Sequence, residues 1–205
     1  MMTSTNGQIG VARRIASEDI SVTHNTWNGN FFVVTNYVKA CFSDFAVSGW
    51  FLQTVGRGYQ CFFASGATRN ASGGWGVEQN INYVNFPQAW IGAKGISAGG
   101  YDFSTAWRHL ALVLDGTNAT LYVDGVAVGN KAGVSIGEGE VLPFTIGRDF
   151  NGGASLHGYA DEVRIMGAAA SADWIKAEFD TVNDPGFVVG ERVRRANPGF
   201  GIVVK

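Results

Sequence analysis

The chain has 205 residues, a formal net charge of −2 and a charged fraction of only 16%. This balance argues against a basic nucleic-acid-binding surface or attachment to an anionic membrane, and the aromatic content of 13% argues against disorder. The 29 glycines and only 4 prolines favour short strands joined by tight turns. The length suits one β-rich domain with a well-buried core.

The N-terminus does not have the layout of a secretion signal. Residues 1–6 lack the basic-then-apolar pattern of a signal peptide, and no apolar run approaches the ~20 residues of a membrane span. We therefore expect no membrane span. We expect either a domain excised from a longer secreted protein or a protein that leaves its cell by another route, such as lysis. The predicted location is extracellular, at a cell surface or on a virion.

The chain contains two cysteines, Cys41 and Cys61. Free cysteine commonly behaves as a small buried hydrophobic residue, so we favour two buried thiols. One disulfide between neighbouring strands, formed in an oxidising compartment, is the alternative.

Apolar segments in the first half of the chain are typical of strands. Residues 8–23 form the first strand region, and residues 31–34 and 37–42 look like additional strands. Residues 45–52 carry apolar side chains on both faces, which favours a central strand covered on each side. Residues 60–65 predict another strand.

The segment 77–101 is rich in Asn, Gln and aromatic residues. Amide groups hydrogen-bond to hydroxyl groups and flat rings stack on sugar faces, so this composition suits a glycan site. It equally suits an ordinary half-exposed sheet face, because aromatic side chains often serve burial instead. The candidate ligand-binding residues are Trp75, Asn80, Asn82, Tyr83, Phe86 and Trp90.

Two Asp-Gly pairs divide residues 107–128 into three short apolar runs. Asp-Gly readily adopts the positive φ angles of a tight hairpin, which predicts a three-stranded antiparallel meander. Strands are also predicted at residues 144–148 and 158–165. Residues 171–179 predict a helix with Ser171 as N-cap. We expect the apolar residues of this helix to seat it on the sheet: Trp174, Ile175 and Phe179.

This series of motifs resembles a known family. The segments LDGTNATLYVDGVAVG, FTIGR, GYADEVRI and SADWIKAEF are similar to the second half of a LamG-like, concanavalin A-like jelly-roll domain. The resemblance covers roughly residues 7–180. It implies an all-β fold, a two-sheet antiparallel sandwich with one short C-terminal helix. We therefore predict a jelly-roll domain at 1–180 and a C-terminal extension at 181–205, which either docks or assembles with a partner or adds a strand to its own domain.

The resemblance also implies one structural calcium ion between the first and last strands. Asp161 matches the aspartate of the family motif, and its partner would be Glu18 or Asp19. Main-chain carbonyls would complete the shell, because Ca²⁺ takes six to eight oxygen ligands. The alternative for Asp161 is an ordinary hydrogen-bonded strand carboxylate.

The sequence offers no catalytic constellation. The Glu-x-Asp-x-x-Glu strand of related hydrolases is absent, and Glu138 and Glu140 lie in a glycine-rich stretch that we interpret as a solvated loop. The histidines His24, His109 and His157 have no recognisable nucleophile motif, and His109 occupies a core-strand position of the family. We expect no enzyme activity.

The most favoured function is a non-catalytic extracellular module for glycan or surface adhesion. The alternative is a virion structural protein, a capsid decoration or tail component, that uses the jelly roll for protein contacts. A degenerate glycoside hydrolase is a weaker third hypothesis. The amide and aromatic composition favours the first, and the missing signal peptide favours the second. Expected partners are a glycan or a protein surface, with a homo-oligomer or virion assembly through 181–205, and no nucleic acid.

Overall fold

The computed structural model describes ten stretches of the chain. They are residues 4–7, 10–15, 31–34, 44–54, 60–66, 73–79, 87–98, 106–136, 143–149 and 154–184, with the backbone alone described at 4–7, 10–15 and 32–34. The strands and the helix are β1 (Ser4–Gly7), β2 (Gly10–Ile15), β3 (Phe32–Val34), β4 (Asp44–Gln53), β5 (Cys61–Ser65), β6 (Trp75–Gln79), β7 (Pro87–Ile91), β8 (Lys94–Ser97), β9 (Trp107–Asp115), β10 (Asn118–Val123), β11 (Val126–Ala132), β12 (Phe144–Ile146), β13 (Gly158–Met166) and α1 (Ala172–Asn183).

The strands form two antiparallel sheets. One has seven strands in the order β1-β2-β13-β4-β9-β10-β11, and the other has six in the order β3-β12-β5-β6-β7-β8. Strand β13 pairs with β2 on one side and β4 on the other, so the two ends of the domain share one sheet. The predicted all-β, two-sheet antiparallel sandwich with one C-terminal helix is confirmed. Of the additional strands predicted early in the chain, β3 is present and 37–42 lies outside the described residues.

Strand β4 is buried on both faces, as its sequence predicts. It lies between β13 and β9 in the seven-stranded sheet. Phe45, Val47 and Phe51 point into the core between the sheets, whereas Ala46 belongs to a second apolar cluster on the outer face. A strand covered on each side needs apolar residues at consecutive positions, which explains its weak alternation.

The Asp-Gly pairs form the predicted tight turns of the meander. Asp124 and Gly125 have φ angles of 51° and 77°, which gives the β10–β11 hairpin its positive-φ turn. Gly116, with φ 57°, lies in the turn between β9 and β10. Asp44 reinforces that turn, because its Oδ1 accepts a hydrogen bond of 2.7 Å from the backbone N–H of Gly116.

Aromatic rings join the two sheets. Phe45 of β4 stacks on Trp75 of β6 with ring centroids 4.5 Å apart, and Phe51 meets Phe62 of β5 edge-on at 5.5 Å. Burying one such side chain contributes roughly 1.5 to 3 kcal/mol to folding. Cys61 is a fully buried free thiol, which confirms the favoured interpretation for that cysteine, and Cys41 lies outside the described residues.

Gly158 marks a close approach of two strands. A Cβ atom built on it would lie 1.8 Å from the carbonyl oxygen of Leu52, which belongs to β4. Only glycine fits there, and the contact lets β13 begin its pairing directly against β4.

Helix α1 packs on the outer face of the seven-stranded sheet. Ser171 is its N-cap, as predicted, and its hydroxyl accepts a 3.1 Å hydrogen bond from the backbone N–H of Trp174. The helix ends at Asn183, four residues beyond the predicted end. Ile175 is fully buried and Phe179 stacks on Trp50 at 5.6 Å, so both seat the helix as predicted. The prediction for Trp174 is wrong, because its side chain is 54% exposed.

His109 is fully buried beneath this helix. Its ring lies 5.4 Å from the ring of Trp50 and 6.4 Å from that of Phe179, and its Nε2 lies 3.7 Å from Oε2 of Glu178. Burial and, secondarily, the charge of Arg164 lower the pKa of His109 to about 4. The imidazole is therefore neutral near pH 7, and the structural role predicted for it is confirmed.

Candidate functional site

Trp75, the first residue of the predicted glycan surface, belongs to the core. Its side chain is 2% exposed and is packed between Phe45 and Phe144, at centroid distances of 4.5 Å and 5.9 Å. Every residue of β6 is buried, so the strand has no alternation from which to tell the core face from the outer face. The prediction that Trp75 contacts a ligand is corrected: this ring has no free face on which a sugar could stack.

Trp90 lies on the outer face of the six-stranded sheet. Its strand alternates, with Ala89 and Ile91 in the core and Trp90 half-buried on the opposite side. In register it stands between Gly76 on β6 and Gly95 on β8. A Cβ atom on Gly95 would come within 3.1 Å of the indole Cη2, so the missing side chain is what allows the ring to lie against β8.

A polar row runs beside this tryptophan. Gln88 of β7 pairs with Glu78 of β6 on one side and with Ser97 of β8 on the other. Gln88 is half-buried and Ser97 is exposed, whereas Glu78 is fully buried. The row and Trp90 together form a surface that we call the Trp90 face, made of Trp90, Gln88 and Ser97. In sequence, the segment 80–86 connects β6 to β7. It contains four predicted ligand-binding residues that lie outside the described residues: Asn80, Asn82, Tyr83 and Phe86.

Buried amides fasten the strands at that end of the sandwich. Oε1 of Gln79 accepts hydrogen bonds from the side-chain amides of Gln53 and Gln60, and Oε1 of Gln60 accepts one from the backbone N–H of His157 at 2.7 Å. All three glutamines are buried. Because buried amides need partners, this network joins the end of β4, the residue before β5 and the end of β6.

Cys61 pairs in register with Glu78, and its thiol lies near two buried carboxyl groups. Burial is the main cause that raises the pKa of its thiol, and the charges of Glu78 and Asp149 raise it further. Its Sγ also lies 3.7 Å from the carbonyl oxygen of Val77. Because the thiolate is the nucleophilic form, this environment makes Cys61 an inert core residue.

Asp161 is the described member of the predicted calcium set. It is half-buried on β13, where its Oδ1 accepts a 3.1 Å hydrogen bond from the backbone N–H of Glu162. Glu162 has a φ of 51°, and the pairing with β4 shifts between Asp161 and Arg164. Glu18 and Asp19 lie outside the described residues. In the part of the chain that is described, no group of three or more His, Cys, Asp or Glu side chains could hold a metal ion. The calcium ion stays a prediction.

Three of the residues considered for catalysis lie outside the described residues: Glu138, Glu140 and His24. His109 is enclosed beneath α1, and His157 uses its backbone N–H to bond Gln60.

A groove that the sequence did not predict lies between α1 and β13. Its volume is about 300 Å³. Its walls are Arg164, Met166, Trp174, Ala177, Glu178, Thr181 and Val182. The only sequence signal was the helical spacing of Trp174, Glu178 and Thr181, which places the three on one side of the helix.

The family of the chain follows from a comparison with known families. The profile Laminin_G_3, of the concanavalin A-like lectin/glucanase superfamily, matches residues 26–176. This match covers most of the chain, so the chain belongs to that superfamily and the resemblance predicted from its motifs is confirmed. None of the curated protein sequences is a significant match. No helix among the described residues is long and apolar enough to cross a membrane.

Solved structures with the same fold have distant sequences. Domain 4 of AbnA, a GH43 extracellular arabinanase from Geobacillus stearothermophilus solved with arabinotriose, superposes with a TM-score of 0.65 at 15% identity, over 86% of this chain and 80% of that one. The CBM40 of the Ruminococcus gnavus IT-sialidase gives 0.60 at 9% identity, over 82% and 97%. The heptameric SAP-like pentraxin from Limulus polyphemus gives 0.58 at 11% identity, over 81% and 80%. At these identities the likeness establishes the fold alone.

Proposed function

We propose that this chain is a non-catalytic binding module that acts outside cells and binds a glycan on the Trp90 face. The observation that carries the proposal is the row Gly76–Trp90–Gly95, in which a half-buried indole lies on the outer face between two residues without side chains. Such a row forms a shallow aromatic platform. Sugar rings stack their C–H faces on platforms of this kind, because the ring is broad, apolar and rigid.

Polar groups beside the platform would supply specificity. Gln88 and Ser97 stand one row away, with an amide and a hydroxyl group that can each donate and accept hydrogen bonds. The segment that connects β6 to β7 contains four further candidates, and we propose that they complete the site: Asn80, Asn82, Tyr83 and Phe86. A mostly apolar surface with a few directed polar groups is the general form of a small-ligand site.

Two relatives in fold support a sugar ligand. One was solved in complex with arabinotriose, and another is named as a carbohydrate-binding module of a sialidase. In both, this sandwich serves as one domain of a larger enzyme, which fits a module without chemistry of its own. The alternative role, a virion protein that assembles through 181–205, concerns a segment that lies mostly outside the described residues and stays a prediction.

A glycan array followed by titration of the best ligand tests the proposal. We expect saturable binding to at least one oligosaccharide, and we expect Trp90→Ala to weaken it about tenfold, the loss that corresponds to one good stacking contact. Trp174→Ala is the matched control, since it removes an exposed tryptophan on α1, which packs on the other sheet, and should leave the affinity for the glycan unchanged. Thermal unfolding of both variants checks that each is folded. Binding that survives Trp90→Ala, or no binding on the array, would contradict the proposal.

A further inference from the structure

The groove between α1 and β13 combines apolar walls with one buried carboxylate. Met166, Ala177 and Val182 are its apolar side chains, and the indole of Trp174 stands at its rim, 54% exposed. Nε1 of Trp174 donates a 3.2 Å hydrogen bond to Oε1 of Glu178, which fixes the ring beside the carboxylate. Thr181 donates its hydroxyl to the carbonyl oxygen of Ala177 at 2.6 Å, so its hydroxyl proton is already used.

Glu178 is the groove residue whose side chain has an unsatisfied hydrogen-bond acceptor among the described residues. Its side chain is only 10% exposed, and its Oε2 makes no hydrogen bond with any described residue. The nearest titratable group is His109, 3.7 Å away, which is neutral near pH 7 because burial lowers its pKa to about 4. The carboxylate of Glu178 lines the groove, so a cationic group that enters the groove would lie beside it.

The other charged side chains around the groove are paired with one another. Arg164, which also lines the groove, forms a 2.6 Å ion pair with Glu162. Lys176 pairs with Asp180, and Arg108 pairs with Asp124 at 2.7 Å. Among the described residues, no lysine or arginine forms an ion pair with Glu178. Glu178 is therefore the acidic side chain of the groove without a lysine or arginine ion-pair partner among the described residues, and it lies beside the indole of Trp174.

We propose that this groove binds the side chain of a lysine from a protein partner. The four methylenes would lie against Met166, Ala177 and Val182, since lysine buries its stem while its head stays polar. The ammonium group would meet the carboxylate of Glu178 and the ring of Trp174, which is the aromatic residue that attracts cations most strongly. This site is on the opposite outer face from the Trp90 face and is independent of the glycan proposal.

The first test uses the unaltered chain and two matched probes. Nα-acetyl-lysine N-methylamide and its norleucine counterpart share the apolar stem, and only the first has the ammonium group. We follow the indole N–H resonance of Trp174 by NMR during titration. We expect saturation by the lysine probe at millimolar concentration, on the order of −4 kcal/mol, and at least tenfold weaker binding of the norleucine probe. Equal binding of the two, or no saturation by the lysine probe, would overturn the proposal.

Substitutions test whether the lysine probe binds in the groove. Glu178→Gln should weaken binding of the lysine probe about tenfold, because it removes the buried partner charge. Trp174→Ala, followed by calorimetry, should weaken it about fivefold through loss of the cation–π contact. Asp180→Asn removes a negative charge from the same helix outside the groove and should change the affinity less than twofold. An equal loss in Asp180→Asn and Glu178→Gln would make the attraction a general charge effect and contradict the assigned site.

Discussion

At the scale of single residues, His109 is an ionisable side chain that is fully buried beneath α1. Neither ring nitrogen hydrogen-bonds to another described residue, although the side chain is fully buried. The imidazole instead packs between the rings of Trp50 and Phe179, and this contact does not require it to be charged. Burial disfavours the charged form, which lowers the pKa of His109 to about 4.

We therefore predict that His109 destabilises the fold in mild acid. Its pKa is about 4 in the folded chain and 6.5 when unfolded. Both states hold a neutral imidazole above pH 6.5, so stability is complete there. As the pH falls from 6.5 to 4 only the unfolded state takes up the proton, and roughly 3 kcal/mol of stability is lost. Below pH 4 the loss does not grow.

Denaturant unfolding of the wild type and His109→Leu between pH 7 and pH 4 measures this. The difference in unfolding free energy between the two chains should change by that amount across the window, because leucine does not titrate. The comparison also cancels the titration of carboxylates common to both chains. Parallel pH curves for the two chains would show that His109 is not responsible.

Residue types alone could not separate the two tryptophans of the predicted glycan surface. The alternation of β7, Pro-Gln-Ala-Trp-Ile, does place Gln88 and Trp90 on one face. Which face is outside depends on the register, which pairs Trp75 with Ile91 and Gly76 with Trp90. That register places Trp75 in the core. It is set by packing between distant strands, so the local sequence does not contain it.

At the scale of elements, local turn and cap chemistry predicted most of the described second half. Asp-Gly turns and the Ser171 cap act within four residues, and both are present where the sequence puts them. The helix end was placed too early because nothing before Pro185 stops the helix. The backbone N–H of Asp184 still bonds the carbonyl of Asp180. Close approaches such as that of Gly158 to Leu52 involve distant strands and were not predictable.

Substitution of two glycines distinguishes a local backbone requirement from a close approach of distant strands. We predict that Gly158→Ala destabilises the chain by more than about 3 kcal/mol, because its Cβ would overlap the carbonyl of Leu52. Gly116→Ala should cost only about 1 to 2 kcal/mol, since the φ of 57° is strained for alanine but no atom lies within 4 Å of the added carbon. Chemical denaturation of both variants gives the two values. A smaller loss in Gly158→Ala than in Gly116→Ala would contradict the close approach.

At the scale of the whole molecule, β13 joins the beginning and the end of the domain. It lies between β2 and β4, and the predicted calcium ligand Asp161 is on it. The fold was predictable from the motifs because the family pattern describes this arrangement. The ligand set was not, since a metal shell depends on side chains from several segments of the chain. Glu18 and Asp19 lie outside the described residues.

Calcium binding can be measured directly. If the ion is part of the fold, free Ca²⁺ at a hundred times its dissociation constant should add about 2.7 kcal/mol of stability, and a chelator should remove it. Thermal unfolding with Ca²⁺ and with EDTA gives the difference, and Asp161→Asn should abolish it. Asp115→Asn, which removes an exposed turn carboxylate, is the control and should keep it. Equal melting temperatures with Ca²⁺ and EDTA in the wild type would exclude the ion.

The helix and Trp90 are on opposite sides of the double sheet, with the aromatic core between them. Two stacked sheets lie about 10 Å apart, so ligands on the two sides would not touch each other. If both proposals hold, the domain has a sugar site on one side and a lysine site on the other, and the two sites are independent. Two weak contacts joined through a rigid body raise each other's effective concentration, and together they would hold two surfaces more firmly than either contact alone.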